Sequence, residues 1–202
     1  MTCIYTEMKA RIAPLRAAMY DFTPDGVRAA LDSALAPDAL CRFAHPLGDM
    51  TGAQGLYDGA YAPLLDAVPD LERRDHIVMA GPDGQGADWV GCGGFYCGTF
   101  VGPWLDIPPT GHMLHMRFHE FYRIENGTVV EIQALWDIPE VMMQANAWPM
   151  APSLGREWHI PGPATQDGLV PGPRDAARSQ QTCDTIIEML GHMKRHPSQG
   201  GP

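Results

Sequence analysis

Glu120, Asp137 and His119 are the residues of this sequence best suited to acid/base chemistry. Carboxyl and imidazole groups can accept or donate a proton at a reacting centre when their surroundings adjust their pKa values. His115 and His119 lie four residues apart. That spacing covers ~13 Å on a strand, which is too long for two ligands of one metal ion. The pattern therefore favours proton transfer by side chains, and we expect no metal site made of these histidines.

A β-hairpin would position these groups. Asn126-Gly127 separates two β-rich runs, and both residues suit the positive φ angles of a two-residue turn. With Glu125 opposite Thr128, Glu120 faces Gln133, and one face of the hairpin consists of alternate residues of both strands: Met116, Phe118, Glu120, Tyr122, Glu131, Gln133, Leu135 and Asp137. The other face includes His119, Phe121, Ile132 and Trp136. Both faces mix polar and apolar residues, so alternation alone does not identify the core.

The surrounding elements predict an α+β fold. Apolar spacing predicts helices over 4–20, from Thr23-Pro24 to Pro37, over 53–68 and over 175–194, and strands over 74–80, 87–100, 113–124 and 128–138. Helices followed by consecutive strands predict a curved antiparallel sheet covered by N-terminal helices. We divide the chain into a domain at 1–147, a Pro-rich linker or wrapping arm at 148–174 and a C-terminal helix with a tail at 175–202. The apolar face of that last helix could pack on the same domain, on a second subunit or on a further domain.

Composition narrows the possible partners. The 202 residues have a formal charge of −10, which disfavours nucleic acid and anionic membranes as partners. No run reaches ~18 apolar residues, and Glu7, Lys9 and Arg11 interrupt the first segment where a secretory signal would be apolar. The five cysteines are scattered, as expected for reduced thiols. We expect a cytoplasmic protein.

Residues 98–144 resemble the closing strands of SnoaL-like polyketide cyclases and the related predicted ester cyclases. The features that carry the resemblance are an aliphatic residue before Pro-Pro-Thr-Gly, an aromatic-Arg-Ile step, an Asn-Gly turn and a final Asp: Ile107, 108–111, 122–124, 126–127 and Asp137. A segment near His45 and the helix that ends before Leu71 extend the resemblance to about residues 8–146. The family fold is the nuclear-transport-factor-like cone, a curved sheet around a pocket lidded by helices.

The resemblance implies which hairpin face lines the pocket. Family positions that match Phe118 and Glu120 carry pocket residues, so the first face should lie inside the cone. The catalytic Asp of the family's aromatic polyketide cyclases falls at Ala134, and its partner His falls at Glu120. The candidate ligand-binding residues are Met116, Phe118, Tyr122, Gln133, Leu135, Trp89 and His45.

The resemblance implies a cofactor-independent acid/base enzyme for a carbonyl-bearing apolar or aromatic metabolite, through aldol cyclisation, isomerisation or dehydration. The candidate catalytic residues are Glu120, Asp137 and, if a bulge shifts the register, His119. Asp137-Ile138-Pro139 also has the pattern of a helix N-cap. The alternative function is a non-catalytic binding or assembly module. We also expect a homodimer that covers Phe121, Ile132 and Trp136 on the outer face of the sheet.

Overall fold

Six strands form one mixed, curved and unclosed sheet in the described part of the chain. The computed structural model describes residues 4–152, 154, 161–168 and 175–194. The strand order is β2-β1-β6-β5-β4-β3. Neighbouring strands are antiparallel except β1 and β6, which are parallel. The strands are β1 Leu35–Phe43, β2 Asp49–Thr51, β3 Glu72–Pro82, β4 Asp88–Thr99, β5 Met113–Glu125 and β6 Thr128–Trp136.

The described part of the chain also contains six α-helices, which makes the fold α+β. They are α1 Ile4–Tyr20, α2 Pro24–Ala34, α3 Gly52–Leu56, α4 Ala62–Ala67, α5 Ile138–Gln144 and α6 Ala176–Met193, with a π-helical segment at Tyr57–Tyr61 between α3 and α4. The N-terminal helix α1 packs against β3 and β4, while α2 and α3 pack against β1. The four predicted helices and four predicted strands are therefore present.

Two strands, β1 and β2, were missed by the sequence analysis. We expected the second helix to continue to Pro37, but it ends at Ala34 and β1 begins at Leu35. Residues of β1 become a strand because they pair with β6, which lies about ninety residues later in the chain, and with the short strand β2. A propensity argument over neighbouring residues does not contain such long-range pairing.

Side chains and turns fix the ends of several elements. Thr23 caps α2 by accepting a hydrogen bond from Gly26 N at 3.3 Å. Asn126 and Gly127 have φ angles of 50° and 79°, as the predicted two-residue hairpin turn requires. Asp137 caps α5 by accepting a hydrogen bond from Glu140 N at 3.2 Å. The capping role that the sequence suggested for Asp137 is therefore confirmed.

A β-bulge at Val130 corrects the predicted register of the hairpin. Glu125 pairs with Thr128 and Ile124 with Val129 as expected, but the next pair is Arg123 with Glu131. The extra residue shifts the rest of β6 by one position, which exchanges its two faces. The residue opposite Glu120 is consequently Ala134 and not Gln133.

The inner face of the hairpin is the core of the fold. Burial alternates along β5, and the bulge places alternate residues of β6 on the same face: Met116, Phe118, Glu120, Tyr122, Ile132, Ala134 and Trp136 are all buried. The prediction that Gln133 and Leu135 share a face with Glu120 is wrong. The prediction that Ile132 and Trp136 lie on the outer face is wrong for the same reason, the one-residue shift of β6.

Part of the Pro-rich segment lies against strand β3. Val78 N donates a hydrogen bond of 2.7 Å to Gln166 O, and Lys9 Nζ lies 3.2 Å from Asp167 Oδ2. These residues belong to the first of two structural units, residues 1–168.

The second unit, residues 169–202, contains helix α6. The α6 side chains Ile186, Ile187 and Leu190 are exposed. None of the described helices is both long and apolar enough to span a membrane.

Candidate active site

Glu120 lies at the centre of a polar cluster inside the sheet. Its side chain is completely buried and accepts hydrogen bonds from four donors. Arg73 Nη1 and the Tyr122 hydroxyl each lie 2.5 Å from Oε2. The Tyr96 hydroxyl lies 3.0 Å and Trp136 Nε1 2.9 Å from Oε1. A buried carboxylate with this many donors can keep its charge without water.

Four adjacent strands and one helical segment supply the cluster. Arg73 comes from β3, Tyr96 from β4, and Trp136 from the last position of β6. Glu120 and Tyr122 lie two residues apart on β5, so both point to the inner face. The π-helical segment adds Tyr61, whose hydroxyl lies 3.5 Å from that of Tyr96. The cluster therefore depends on the assembled sheet and not on any local motif.

Arg73 balances the charge of Glu120. Burial alone would lower the pKa of Arg73, but the negative charge of Glu120 and other neighbours outweighs it, so the pKa lies well above its ordinary value. Asp75 provides a second carboxylate, 3.1 Å from Arg73, and itself accepts a hydrogen bond from Arg16 Nε at 2.9 Å. The Phe118 ring lies 4.2 Å from Arg73 Cζ. The result is a chain of alternating charges that runs from the interior towards α1.

The phenols around Glu120 remain protonated at neutral pH. Burial raises the pKa of Tyr61 and Tyr96 well above the ordinary value, and the charge of Glu120 raises it further. Burial also raises the pKa of Tyr122, although the positive charge of Arg73 opposes this shift. Each hydroxyl is thus a hydrogen-bond donor and not an alternative base.

Aromatic rings fill the space beside Glu120. The Trp136 ring lies 5.1–5.6 Å from the rings of Phe43, Tyr96 and Tyr61. The Trp104 ring lies 6.5 Å from that of Trp136. Trp104 Nε1 is buried and has no hydrogen-bond partner among the described residues. A buried donor without an acceptor is uncommon in folded proteins, so this indole marks a position where a polar group of a ligand would be stabilised.

The structure brings together four of the ten residues predicted for the site. Met116, Phe118, Glu120 and Tyr122 are all buried on the inner face. Gln133 and Leu135 lie on the outer face because the bulge shifts β6, so the prediction that they share a face with Glu120 is wrong. His119 lies on the outer face as the uninterrupted register of β5 predicts, and Trp89 of β4 pairs with Arg123 on that face. His119, Gln133 and Leu135 line one outer cavity of about 400 Å³, and Trp89 and Gln133 line another of about 510 Å³.

Asp137 and His45 lie away from the Glu120 cluster. Asp137 caps α5 through Oδ1. Its other carboxylate oxygen, Oδ2, accepts hydrogen bonds from Arg117 Nε at 3.0 Å and Nη2 at 2.6 Å. His45 is exposed in the turn between β1 and β2. A catalytic role for Asp137 and a ligand-binding role for His45 stay predictions. In the described part of the chain, no three His, Cys, Asp or Glu side chains are grouped as metal ligands would be.

The sequence analysis did not identify Arg73, Tyr61, Tyr96, Trp104 or Trp136 as site residues. Arg73 lies in the charged run 72–75, which resembles a solvated strand end. A clue for Trp136 was available, because a one-residue shift of β6 gathers Ile132, Ala134 and Trp136 on the face of Phe118. A consistent apolar face favours that register over the uninterrupted one.

The comparisons with known proteins agree with this fold. The family model described as SnoaL-like polyketide cyclase matches residues 13–145. No curated protein matches the chain significantly. A protein from Jannaschia sp. CCS1, provisionally designated a SnoaL-like polyketide cyclase, is 23% identical, with a TM-score of 0.61 over 74% of this chain and 98% of its own.

Two Streptomyces structures give similar values. IdmH from Streptomyces antibioticus, provisionally designated a polyketide cyclase, is 20% identical, with a TM-score of 0.57 over 69% of this chain and 98% of its own. AclR from Streptomyces galilaeus, provisionally designated a hydroxylase, is 17% identical, with a TM-score of 0.58 over 95% of this chain and 99% of its own. At these identities the likeness concerns the fold.

Proposed function

The chain belongs to the SnoaL-like polyketide cyclase family, and from that premise we propose that it is a cofactor-independent acid/base enzyme for a carbonyl-bearing apolar metabolite. In this proposal Glu120 removes a proton next to the carbonyl group. The reaction class is aldol cyclisation, isomerisation or dehydration, each of which begins with such a proton transfer.

The pairing of Glu120 with Ala134 carries the proposal. The resemblance implies that the catalytic Asp of the family's aromatic cyclases falls at Ala134. Glu120 and Ala134 are direct cross-strand partners on the buried face. Directly opposed residues of an antiparallel pair have Cβ atoms ~5 Å apart. A carboxylate on residue 120 can therefore act on the same part of the interior as one on residue 134.

The neighbours of Glu120 suit the charge that develops during the reaction. When the carboxylate takes the α-proton, the carbonyl oxygen gains negative charge as an enolate. The protonated hydroxyls of Tyr96 and Tyr122 are donors that could stabilise this oxygen, and the raised pKa values keep them protonated. The unpartnered Trp104 Nε1 is a further donor for a substrate oxygen.

A substrate has to displace some of the present hydrogen bonds. All of the donors around Glu120 are at 2.5–3.0 Å, and aromatic rings occupy the adjacent space. Substrate binding therefore requires that rings such as Trp136 or Tyr61 move apart. The energy of burying an apolar substrate would offset the cost of this rearrangement.

The second candidate function is a non-catalytic binding or assembly module. It is favoured by the four hydrogen bonds that Glu120 already accepts. A carboxylate that is fully buried, ion-paired and bonded to four donors can be purely structural. In that case the ion pair holds β3 against β5, and the interior binds a ligand without proton transfer.

Deuterium exchange separates the two functions. We use 2-tetralone, a bicyclic ketone with acidic α-protons, in D₂O and follow loss of its α-proton resonance by NMR. An enzyme should accelerate exchange above the buffer rate, and Glu120→Gln should lower that acceleration about 10²- to 10⁴-fold. Glu125→Gln is the matched control, because Glu125 is an exposed carboxylate on the same strand that pairs with Arg123.

Folding is checked in parallel by circular dichroism and thermal unfolding. If Glu120→Gln does not fold, Tyr96→Phe, which keeps the ion pair, should still slow exchange about tenfold. A folded Glu120→Gln protein with the wild-type rate would remove the acid/base assignment. Wild-type protein that binds 2-tetralone without faster exchange would support the binding module.

A further inference from the structure

A cavity of about 450 Å³ lies on the side of Arg73 that faces away from the aromatic interior. We call it the Arg16 cavity. One face of α1, three consecutive residues of β3 and one residue of the Pro-rich segment form its walls: Ala13, Arg16, Ala17, Tyr20, Arg73, Arg74, Asp75 and Gln166. Its volume lies within the range of small-molecule sites.

The walls carry more positive than negative charge. Three guanidinium groups and one carboxylate line the cavity in a chain whose formal net charge is −10. Asp75 accepts hydrogen bonds from Nε of Arg16 at 2.9 Å and from Nε of Arg73 at 3.1 Å. Arg74 pairs instead with Glu72 and Tyr20 at the exposed edge. The single carboxylate of the lining therefore faces two of its three cations.

Two guanidinium groups retain unused donors. Arg73 Nη2 is buried and forms an ion pair with Asp75 Oδ1 at 3.1 Å, but it makes no hydrogen bond to any residue that the structure describes. Arg16 uses Nε for Asp75, and its two terminal nitrogens make no hydrogen bond within the described part of the chain. A planar anion in the cavity would satisfy the open donors of Arg16, and the buried Arg73 adds positive charge nearby.

The remaining walls suit a flat ring. Ala13 and Ala17 present small apolar side chains, and the Tyr20 ring lies 4.6 Å from Arg74 Cζ. An aromatic ring could lie against this face of α1 while a carboxylate attached to it forms paired hydrogen bonds with a guanidinium group. We propose that the Arg16 cavity is a binding site for a small aromatic carboxylate.

Binding in the Arg16 cavity does not rest on the proposed function of Glu120, although Arg73 contacts both Glu120 and the cavity. Gln166 lies beyond residues 13–145, the part of the chain that the family model matches, so the C-terminal extension of this chain completes the cavity. Binding there does not require proton transfer by Glu120. Loss of catalysis and loss of aromatic acid binding are therefore independent results.

Isothermal titration calorimetry with 2-naphthoate tests the proposal on the full-length protein. We expect saturable 1:1 binding and at least tenfold weaker binding of 2-naphthamide, which has the same rings without the charge. Arg16→Gln should weaken 2-naphthoate binding at least tenfold. The matched control Arg28→Gln, which removes an arginine of α2 paired with Asp58, should not change it.

The variant Asp75→Asn distinguishes ligand binding from a purely structural role of the arginines. It removes the carboxylate that competes for Arg16 and Arg73, so binding of 2-naphthoate should tighten several-fold, whereas a structural role alone predicts no tighter binding. Equal binding of 2-naphthoate and 2-naphthamide, or unchanged binding in Arg16→Gln, would overturn the proposal. Displacement by an equal concentration of inorganic phosphate would also overturn it, since the ring would then contribute nothing. If Arg16→Gln does not fold, the amide comparison on the wild-type protein decides.

Discussion

Glu120 and Arg73 are the residues on which the interior depends most. Both side chains are completely buried and lie 2.5 Å apart. Removing either partner leaves the other charge buried and unpaired, which costs about 3–5 kcal/mol of stability. Replacing both partners with neutral groups of similar size can cost little. The same pair thus contributes to the stability of the fold and to the proposed chemistry.

A double-mutant cycle measures this coupling. We expect Arg73→Met and Glu120→Gln each to lower the free energy of unfolding by about 3 kcal/mol or more, and the double variant to lose clearly less than the sum. Urea denaturation followed by circular dichroism provides the four values. The surface pair of the partly buried Arg123 and the exposed Glu125 is the control, and its cycle should give a coupling below about 1 kcal/mol. Additive losses for the buried pair would contradict the structure.

The β5–β6 hairpin is the element that decides which side chains reach the interior. Its turn follows local chemistry, since Asn126 and Gly127 adopt the positive φ angles that their residue types favour. Its bulge at Val130 is determined by core packing, because only the shifted register buries Ile132, Ala134 and Trp136. Within five residues, the turn is therefore determined by local sequence and the bulge by tertiary contacts.

Two glycine substitutions test the turn. Gly127→Ala should lower the free energy of unfolding by about 1 kcal/mol, because alanine disfavours a φ angle of 79° and its Cβ would lie 3.3 Å from Arg11 Cζ. Gly81→Ala in β3 is the control, since no atom lies within 4 Å of its added Cβ and its φ is not positive. Chemical denaturation measures both. Equal effects would show that the turn conformation is not the cause.

At the scale of the whole molecule, the outer face of the sheet carries an exposed apolar patch. It consists of Met79, Phe121 and Leu135, which are 42–57% exposed. Met79 and Phe121 are both cross-strand partners of Gly91, and the Phe121 ring lies against that glycine. We expect this patch to be covered in a homodimer, because monomers seldom leave contiguous apolar surface in water.

Sedimentation velocity at micromolar concentration checks the dimer. The wild-type protein should sediment as a dimer and Leu135→Glu as a monomer, since a buried, unpaired charge at the interface is costly. Val101→Glu changes an apolar residue with 53% exposure outside the patch, and it should leave the dimer intact. A strictly monomeric wild-type protein would contradict the expectation.

The sequence by itself determined the elements whose causes are local. The Thr23 and Asp137 caps, the Asn126-Gly127 turn and the long strands follow from side chains within a few residues of one another. The ordered motifs of residues 98–144 also sufficed for the family and its cone. The family resemblance placed Glu120 inside, and that placement is correct because β5 alternates without interruption.

Only the tertiary structure decided what surrounds Glu120. The bulge at Val130 moves Trp136 inward and Gln133 outward, and it arises from packing of β6 against the whole core. Arg73 becomes buried because β3 lies beside β4 and under α1, although its neighbours in sequence are charged. Pairing of β1 with β6 joins segments about ninety residues apart. These outcomes depend on contacts between distant segments, which the spacing of residues along one segment does not encode.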